Sequence, residues 1–246
     1  MVLVDDETAL TRALAERFVV AASAGQARHK RFDVALAGGS TPKGAYELLA
    51  TPAWRDRVDW TRVRFFFGDE RCVPPDDEAS NYRMARLAFG DVMTSAGAVF
   101  RMRGEDEPAM AARAYADVLR SELGDAPVFD LIMLGLGPDG HTASLFPDAD
   151  PYLDDALLVR APFVPKFGTH RLTLTPKVLN GAREIVVATA GDAKAAALRA
   201  VLEGPAEPER YPAQVLAPRD GSLTWLVDRQ AGALLATAGS AQPNLR

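Results

Sequence analysis

An aspartate and a histidine one glycine apart, Asp139 and His141, close the run Gly135-Leu-Gly-Pro-Asp-Gly-His141, which continues into Thr142-Ala-Ser144. An imidazole titrates near neutral pH, so it can take a proton from water and return it to a departing oxygen. A neighbouring carboxylate holds the ring in one tautomer and stabilises the cation that forms. The spacing therefore predicts general acid–base chemistry at His141 with Asp139 as its partner. A loop histidine satisfied by backbone groups is the alternative. The other histidines, His29 and His170, are scattered, there is no H-E-x-x-H, and Cys72 is the single cysteine. No metal site is expected.

A second cluster, Gly38, Gly39, Ser40, Thr41 and Pro42, joins a predicted strand to a predicted helix. Glycines let the backbone approach a ligand, and a helix start presents free N–H groups to an anion. A phosphate cradle or a plain Ser/Thr-capped turn both fit these residues. The run lacks the lysine of a P-loop, so no nucleotide is implied. Gly135, Gly137 and Gly140 formally satisfy G-x-G-x-x-G. However, no acidic residue follows at a strand end, since Asp154 and Asp155 fall in an expected loop, and no dinucleotide cofactor is expected. Four cations, Arg71, Lys166, Arg171 and Lys194, could converge on an anion. Lys194 opens a helix, where positive charge opposes the macrodipole unless an anion is bound. Ser144 lacks the G-x-S-x-G elbow and is expected to cap or pack at a helix start. Cys72 is read as a buried structural thiol.

These clusters need a frame that gathers them. Leu10, Leu14, Phe18 and Ala22 recur every four residues, predicting a first helix. Strands are expected at Phe32 to Ala37, Val63 to Phe67, Phe129 to Leu134, Glu184 to Thr189 and Leu223 to Val227. Helices are expected at about Lys43 to Ala50 and from Gly191 through Leu202, with a frayed tail from Ser240 to Arg246. The alternation predicts an α/β, Rossmann-like, largely parallel sheet with helices on both faces. The polar clusters follow strand carboxyl ends, the edge where open α/β sheets bind ligands.

The 246 residues are enough for one large α/β domain or two small ones, and a single domain over 1–246 is expected. No apolar stretch approaches the about 20 residues a membrane span requires, and Met1-Val-Leu-Val-Asp-Asp has no leader pattern. With one cysteine, this reads as a soluble cytoplasmic protein. The formal net charge of −5 gives no general attraction for nucleic acid, so an anionic ligand would need a local basic site.

Taken in order, the segments resemble the 6-phosphogluconolactonase family. The matching stretches are Ala37-Gly-Gly-Ser-Thr-Pro-Lys-Gly44, Phe67-Gly-Asp-Glu-Arg-Cys-Val-Pro74, Ser80-Asn81, Leu134-Gly-Leu-Gly-Pro-Asp-Gly-His-Thr-Ala-Ser-Leu-Phe-Pro147, Arg171-Leu-Thr-Leu-Thr175 and the helix start Gly191–Lys194. The resemblance implies a sheet of the sugar-phosphate isomerase/deaminase type and a phosphorylated sugar lactone, 6-phospho-D-glucono-1,5-lactone, as substrate. It implies no cofactor, no nucleic acid and no membrane; a monomer or weak homo-oligomer is expected. By the same resemblance His141 is the general base and Asp139 its orienting partner. Ser40, Thr41, Arg171 and Lys194 are phosphate ligands, Arg71 faces the substrate, and Asp69 is a site carboxylate, with Gly38 and Gly39 expected to bind substrate through their backbone. The chain departs from the pattern at Lys166-Phe-Gly-Thr-His170, where relatives are richer in proline. Two rivals share part of the pattern. Glucosamine-6-phosphate deaminases carry Asp-Glu-Tyr where this chain has Asp69-Glu70-Arg71, and Asn-Glu-Pro where it has Leu145-Phe146-Pro147; a non-catalytic sugar-phosphate sensor would dispense with the base.

Overall fold

The computed structural model describes residues 1–149 and 156–236. Its strands are β1 (Val2–Val4), β2 (Phe32–Leu36), β3 (Val63–Phe67), β4 (Asp69–Arg71), β5 (Ala98–Val99), β6 (Leu131–Gly135), β7 (Val159–Arg160), β8 (Phe163–Val164), β9 (Thr169–Leu174), β10 (Glu184–Thr189) and β11 (Ser222–Asp228). Seven of them form a parallel sheet in the order β1-β11-β10-β6-β2-β3-β5. A small antiparallel sheet, β4-β9-β7 with β8 on β9, lies beyond it.

Alternation along β3 places side chains on two covered faces. Phe65 meets Phe18 of the helix Glu7–His29 and Phe89 of the helix Asn81–Phe89. Its neighbours point the other way: Phe66 packs on Phe100 and Phe129, and Arg64 reaches Glu122 on the helix Pro108–Leu123. Helices thus cover both faces of the sheet, as the alternating pattern predicts. Phe18 is fully buried, and removing such a side chain from water stabilises the fold by about 1.5–3 kcal/mol.

Three local expectations change. The strand expected at Phe129 starts at Leu131, because the Asp130 carboxylate is turned to accept the Asp33 N–H at 3.0 Å just before it. The helix expected at Lys43 spans Ser40–Ala50, three residues earlier, and Pro42 occupies its first turn, where a missing N–H costs little. No helix starts at Ser144. Thr142 bridges Leu145, Ala143 takes φ +47°, and Pro147 follows, so the chain turns instead. Asp154, Asp155 and the tail from Ser240 lie outside the described residues.

The order of the strands decides where a ligand can sit. From β2 the chain moves outward to β3 and β5, whereas from β6 it moves to β10 and β11 on the other side. Loops leaving the adjacent carboxyl ends of β2 and β6 therefore diverge and open a crevice between them.

Candidate active site

A cleft of about 670 Å³ occupies that crevice. Gly38, Gly39, Ser40 and Thr41 line it from the end of β2, Gly135, Leu136, Gly137 and His141 from the end of β6, and Ala190, Gly191 and Lys194 from the end of β10. Asp69, Arg71 and Asn81 complete one side. Asp139 and Arg171 are the predicted residues outside its immediate lining; each touches or faces one that is inside.

Asp139 Oδ1 lies 2.5 Å from His141 Nδ1. With the carboxylate ionised, Nδ1 carries the hydrogen and donates it, which leaves Nε2 as the basic nitrogen. The ring stacks obliquely on Phe146, with centroids 4.1 Å apart, and its side chain stays about one quarter exposed. Gly137 makes this placement possible, since a Cβ there would overlap the imidazole. Burial raises the Asp139 carboxyl, but hydrogen bonds from His141 and from Lys166 Nζ, 2.8 Å from Oδ2, outweigh it. They hold the group well below the ordinary carboxylate range. A depressed carboxyl stabilises the fold fully above its unfolded value near ~3.9, and that stability is lost as pH falls through the folded value. Asp139→Asn should therefore melt below the wild type at pH 7. The gap should narrow below about pH 4 in melts recorded from pH 7 to pH 3, whereas a gap that stays constant into acid would contradict the ion pairing.

The cations are placed by the small sheet. β4 and β9 pair so that Arg71 lies directly opposite Arg171. Like charges across a strand pair repel. Burial, and then Arg71, lower the Arg171 guanidinium pKa. Lys194 ends a 3-10 turn and opens the helix Ala195–Glu203, which no side chain caps. Its ammonium is likewise pushed down, first by burial and further by Lys166, against the pull of Asp139. Among the described residues, no carboxylate oxygen lies within 4.0 Å of the charged nitrogens of Arg71, Arg171 or Lys194. Asp5, Asp6, Glu7, Asp69 and Asp228 also line the cleft, but none of them pairs with these three part-buried cations, and a bound anion would supply the missing counter-charge.

The Gly38–Thr41 segment adds neutral donors. Gly39 takes φ +103°, a backbone state that favours glycine, and turns the chain into the helix Ser40–Ala50. No side chain caps this helix either, so its first-turn amides are available to a ligand. Asp69 is buried and already engaged: Ser144 Oγ donates to its Oδ2 at 2.6 Å, and Asn81 Nδ2 lies 3.3 Å from its Oδ1. Beside it, Glu70 accepts backbone N–H groups from Arg71, Asn81 and Tyr82 and the Ser80 hydroxyl. Burial raises the Glu70 carboxyl despite these donors. Glu70 thus ties β4, which carries Arg71, to the helix carrying Asn81.

Cys72 is half-buried, more open than expected, and burial raises its thiol, so it is no activated nucleophile. Among the described residues no group of three or more His, Cys, Asp or Glu side chains could hold a metal ion, and no helix is long and apolar enough to cross a membrane. Sequence reasoning grouped Lys166 with the cations that could converge on an anion, whereas its ammonium pairs with Asp139 outside the cleft lining, and it did not connect Ser144 to Asp69. Both contacts join loops remote in the chain and leave no local spacing to read.

Parallel topology, a cleft at the strand-order switch, and an imidazole–carboxylate pair beside cations without counter-ions define an α/β protein with an acid–base group next to a candidate anion site. The profile described as glucosamine-6-phosphate isomerases/6-phosphogluconolactonase matches residues 5–225, and the chain belongs to that family. Within it, a 6-phosphogluconolactonase from Synechocystis sp. is 40% identical over 232 residues, covering 92% of this chain and 88% of the relative. One from Haemophilus influenzae is 35% identical over 223 residues, covering 90% and 94%. The solved 6-phosphogluconolactonase from Trypanosoma brucei superposes with a TM-score of 0.81 at 30% identity, over 95% of this chain and 98% of that one.

Proposed function

We propose that this chain hydrolyses 6-phospho-D-glucono-1,5-lactone to 6-phospho-D-gluconate, in the oxidative pentose phosphate pathway of the cytoplasm, with residues 1–246 acting as one catalytic unit. The observation that carries the reading is the His141–Asp139 pair opening on the same cleft as the unpaired Arg71 and Lys194. The relatives bearing this activity match along nearly their whole length.

The chemistry follows from the geometry. Nε2 of His141 takes a proton from water as its oxygen attacks the lactone carbonyl carbon. The tetrahedral oxyanion then collapses, the bond to the ring oxygen breaks, and the imidazolium returns its proton to that oxygen, giving an open-chain acid and alcohol. Asp139 keeps Nδ1 protonated throughout and stabilises the imidazolium. Lys194, Arg171, Ser40, Thr41 and the amides after Gly38 and Gly39 hold the phosphate. Arg71 turns toward the sugar, and Asp69 ties the helix start at Asn81 to the turn carrying Ser144. Phosphate binding far from the reacting carbon supplies orientation, which lowers the barrier without further contacts at that carbon.

The family also contains isomerases acting on glucosamine 6-phosphate. Where those are expected to carry a glutamate after the histidine, this chain places Leu145 and Phe146, both buried, with Phe146 beneath the imidazole. A base pair without that carboxylate suits hydrolysis. Freshly generated lactone should release acid well above its spontaneous rate when the protein is added, while glucosamine 6-phosphate should release no ammonia. The opposite pattern would replace this reading with the isomerase one.

A further inference from the structure

The turn Pro165–Phe167 lies outside the cleft lining, yet it makes two contacts with the catalytic loop. Lys166 Nζ donates to Asp139 Oδ2 at 2.8 Å, on the carboxylate oxygen that His141 does not use. Phe167 packs edge-on against Phe146 at 5.5 Å, and Phe146 in turn supports the imidazole. The turn is built to stay in place: Pro165 opens it, and the Gly168 N–H donates to the carbonyls of Val164 and Pro165. The Lys166 side chain is about half exposed, and an ion pair of that kind adds little to stability. Its value must come from what it is attached to.

We propose that Lys166 is a positioning residue for the hydrolysis: it fixes the plane of the Asp139 carboxylate and offsets part of its charge, so that the His141–Asp139 pair stays unprotonated and able to accept a proton to lower pH. The proposal rests on His141 being the base and adds what tunes it. A lone carboxylate beside an imidazole would favour the charged ring, and a protonated ring cannot take a proton from water. A cation on the far oxygen weakens that pull while leaving the hydrogen bond to Nδ1 intact. Asp139 is the carboxylate in contact with the ring, Lys166 and Lys194 are the cations near it, and Arg71, Asp5, Asp6, Glu7, Asp228 and Asp69 line the same cleft, with Asp69 already engaged by Ser144 and Asn81. Tyr211 packs behind Gly140. The influence of both Lys166 and Asp139 on Lys194 places all three charges in one electrostatic neighbourhood.

Lys166→Met and Lys166→Arg in the full-length enzyme test this. The acid limb of kcat/KM, which reports protonation of the coupled pair, should move up by about one pH unit in Lys166→Met and return in Lys166→Arg. The proton resonances of the His141 ring, identified by their loss in His141→Ala, should titrate with the same displacement. A side chain with a purely structural role would lower kcat and leave both curves in place, and that result overturns the proposal. The outcomes also separate it from the reading beneath it. Identical His141 titration in wild type and Lys166→Met removes Lys166 alone, whatever the turnover. Full activity in His141→Ala removes the base, and with it any catalytic part for Lys166.

Discussion

His141→Ala should lower kcat by about 10²–10⁴-fold, the range ascribed to a positioned acid–base group, while KM stays within a few-fold of the wild type. The asymmetry follows from the separation of roles. On the proposed roles the imidazole acts on water and on the ring oxygen during reaction, whereas ground-state affinity would come from a phosphate site formed by cations on β4, on β9 and at the start of the helix Ala195–Glu203. Truncation leaves a small vacancy above Phe146 and an Asp139 still paired with Lys166, so the fold should persist. Asp139→Asn should also cost turnover, because an amide can present its NH₂ to Nδ1 and favour the wrong tautomer. The measurement is a continuous acid-release assay on lactone generated in place, corrected for spontaneous opening. Wild-type kcat in His141→Ala would exclude the imidazole as base.

The second large effect concerns the unpaired cations. Arg171→Met and Lys194→Met should each lower kcat/KM by about ten- to a hundredfold, as expected where a hydrogen bond to a charged group contributes roughly 1.5–3 kcal/mol. Methionine keeps most of the apolar stem and removes the charge, and in Arg171 also the stacking of the guanidinium 5.0 Å from the Phe167 ring centroid. The double variant should lose more than either single one and depart from the product of the two losses, because both residues act on the same phosphate. Stability of the free protein should move the other way. Arg171 lies opposite Arg71, and burial together with Arg71 outweighs the attraction of Asp69 and Glu70, so removing its charge relieves a net penalty and the ligand-free melting temperature should hold or rise. In the wild type, 6-phosphogluconate should raise the melting temperature by mass action, and that increment should shrink in both variants. Melting curves with and without the product report both halves at once. A large fall in ligand-free stability with unchanged ligand response would make these residues structural.

Much of the molecule was legible in the sequence because the relevant signals are local. The four-residue recurrence of Leu10, Leu14, Phe18 and Ala22 yields one buried helix stripe. The runs Val63–Phe67 and Glu184–Thr189 form strands with those bounds, and the clusters at Gly38, Asp69, Gly135 and Gly191 follow strand ends. Even the His141–Asp139 contact was accessible, since two residues on one tight loop have few ways to separate. The short strands were not: β1, β5, β7 and β8 have two or three residues each, too few for a period of two to register.

By itself, then, the amino-acid order determined the α/β class, the edge at which loops gather, and the imidazole–carboxylate pair, because propensity and periodicity act within a few residues. Only the tertiary structure decided that Arg71 meets Arg171 across β4 and β9, that Ser144 turns inward to Asp69, and that Lys166 reaches Asp139. Those contacts join residues 27 to 100 positions apart. They depend on strand pairing and turn direction, which are set by burial of the whole sheet and its covering layers, and no local spacing encodes them.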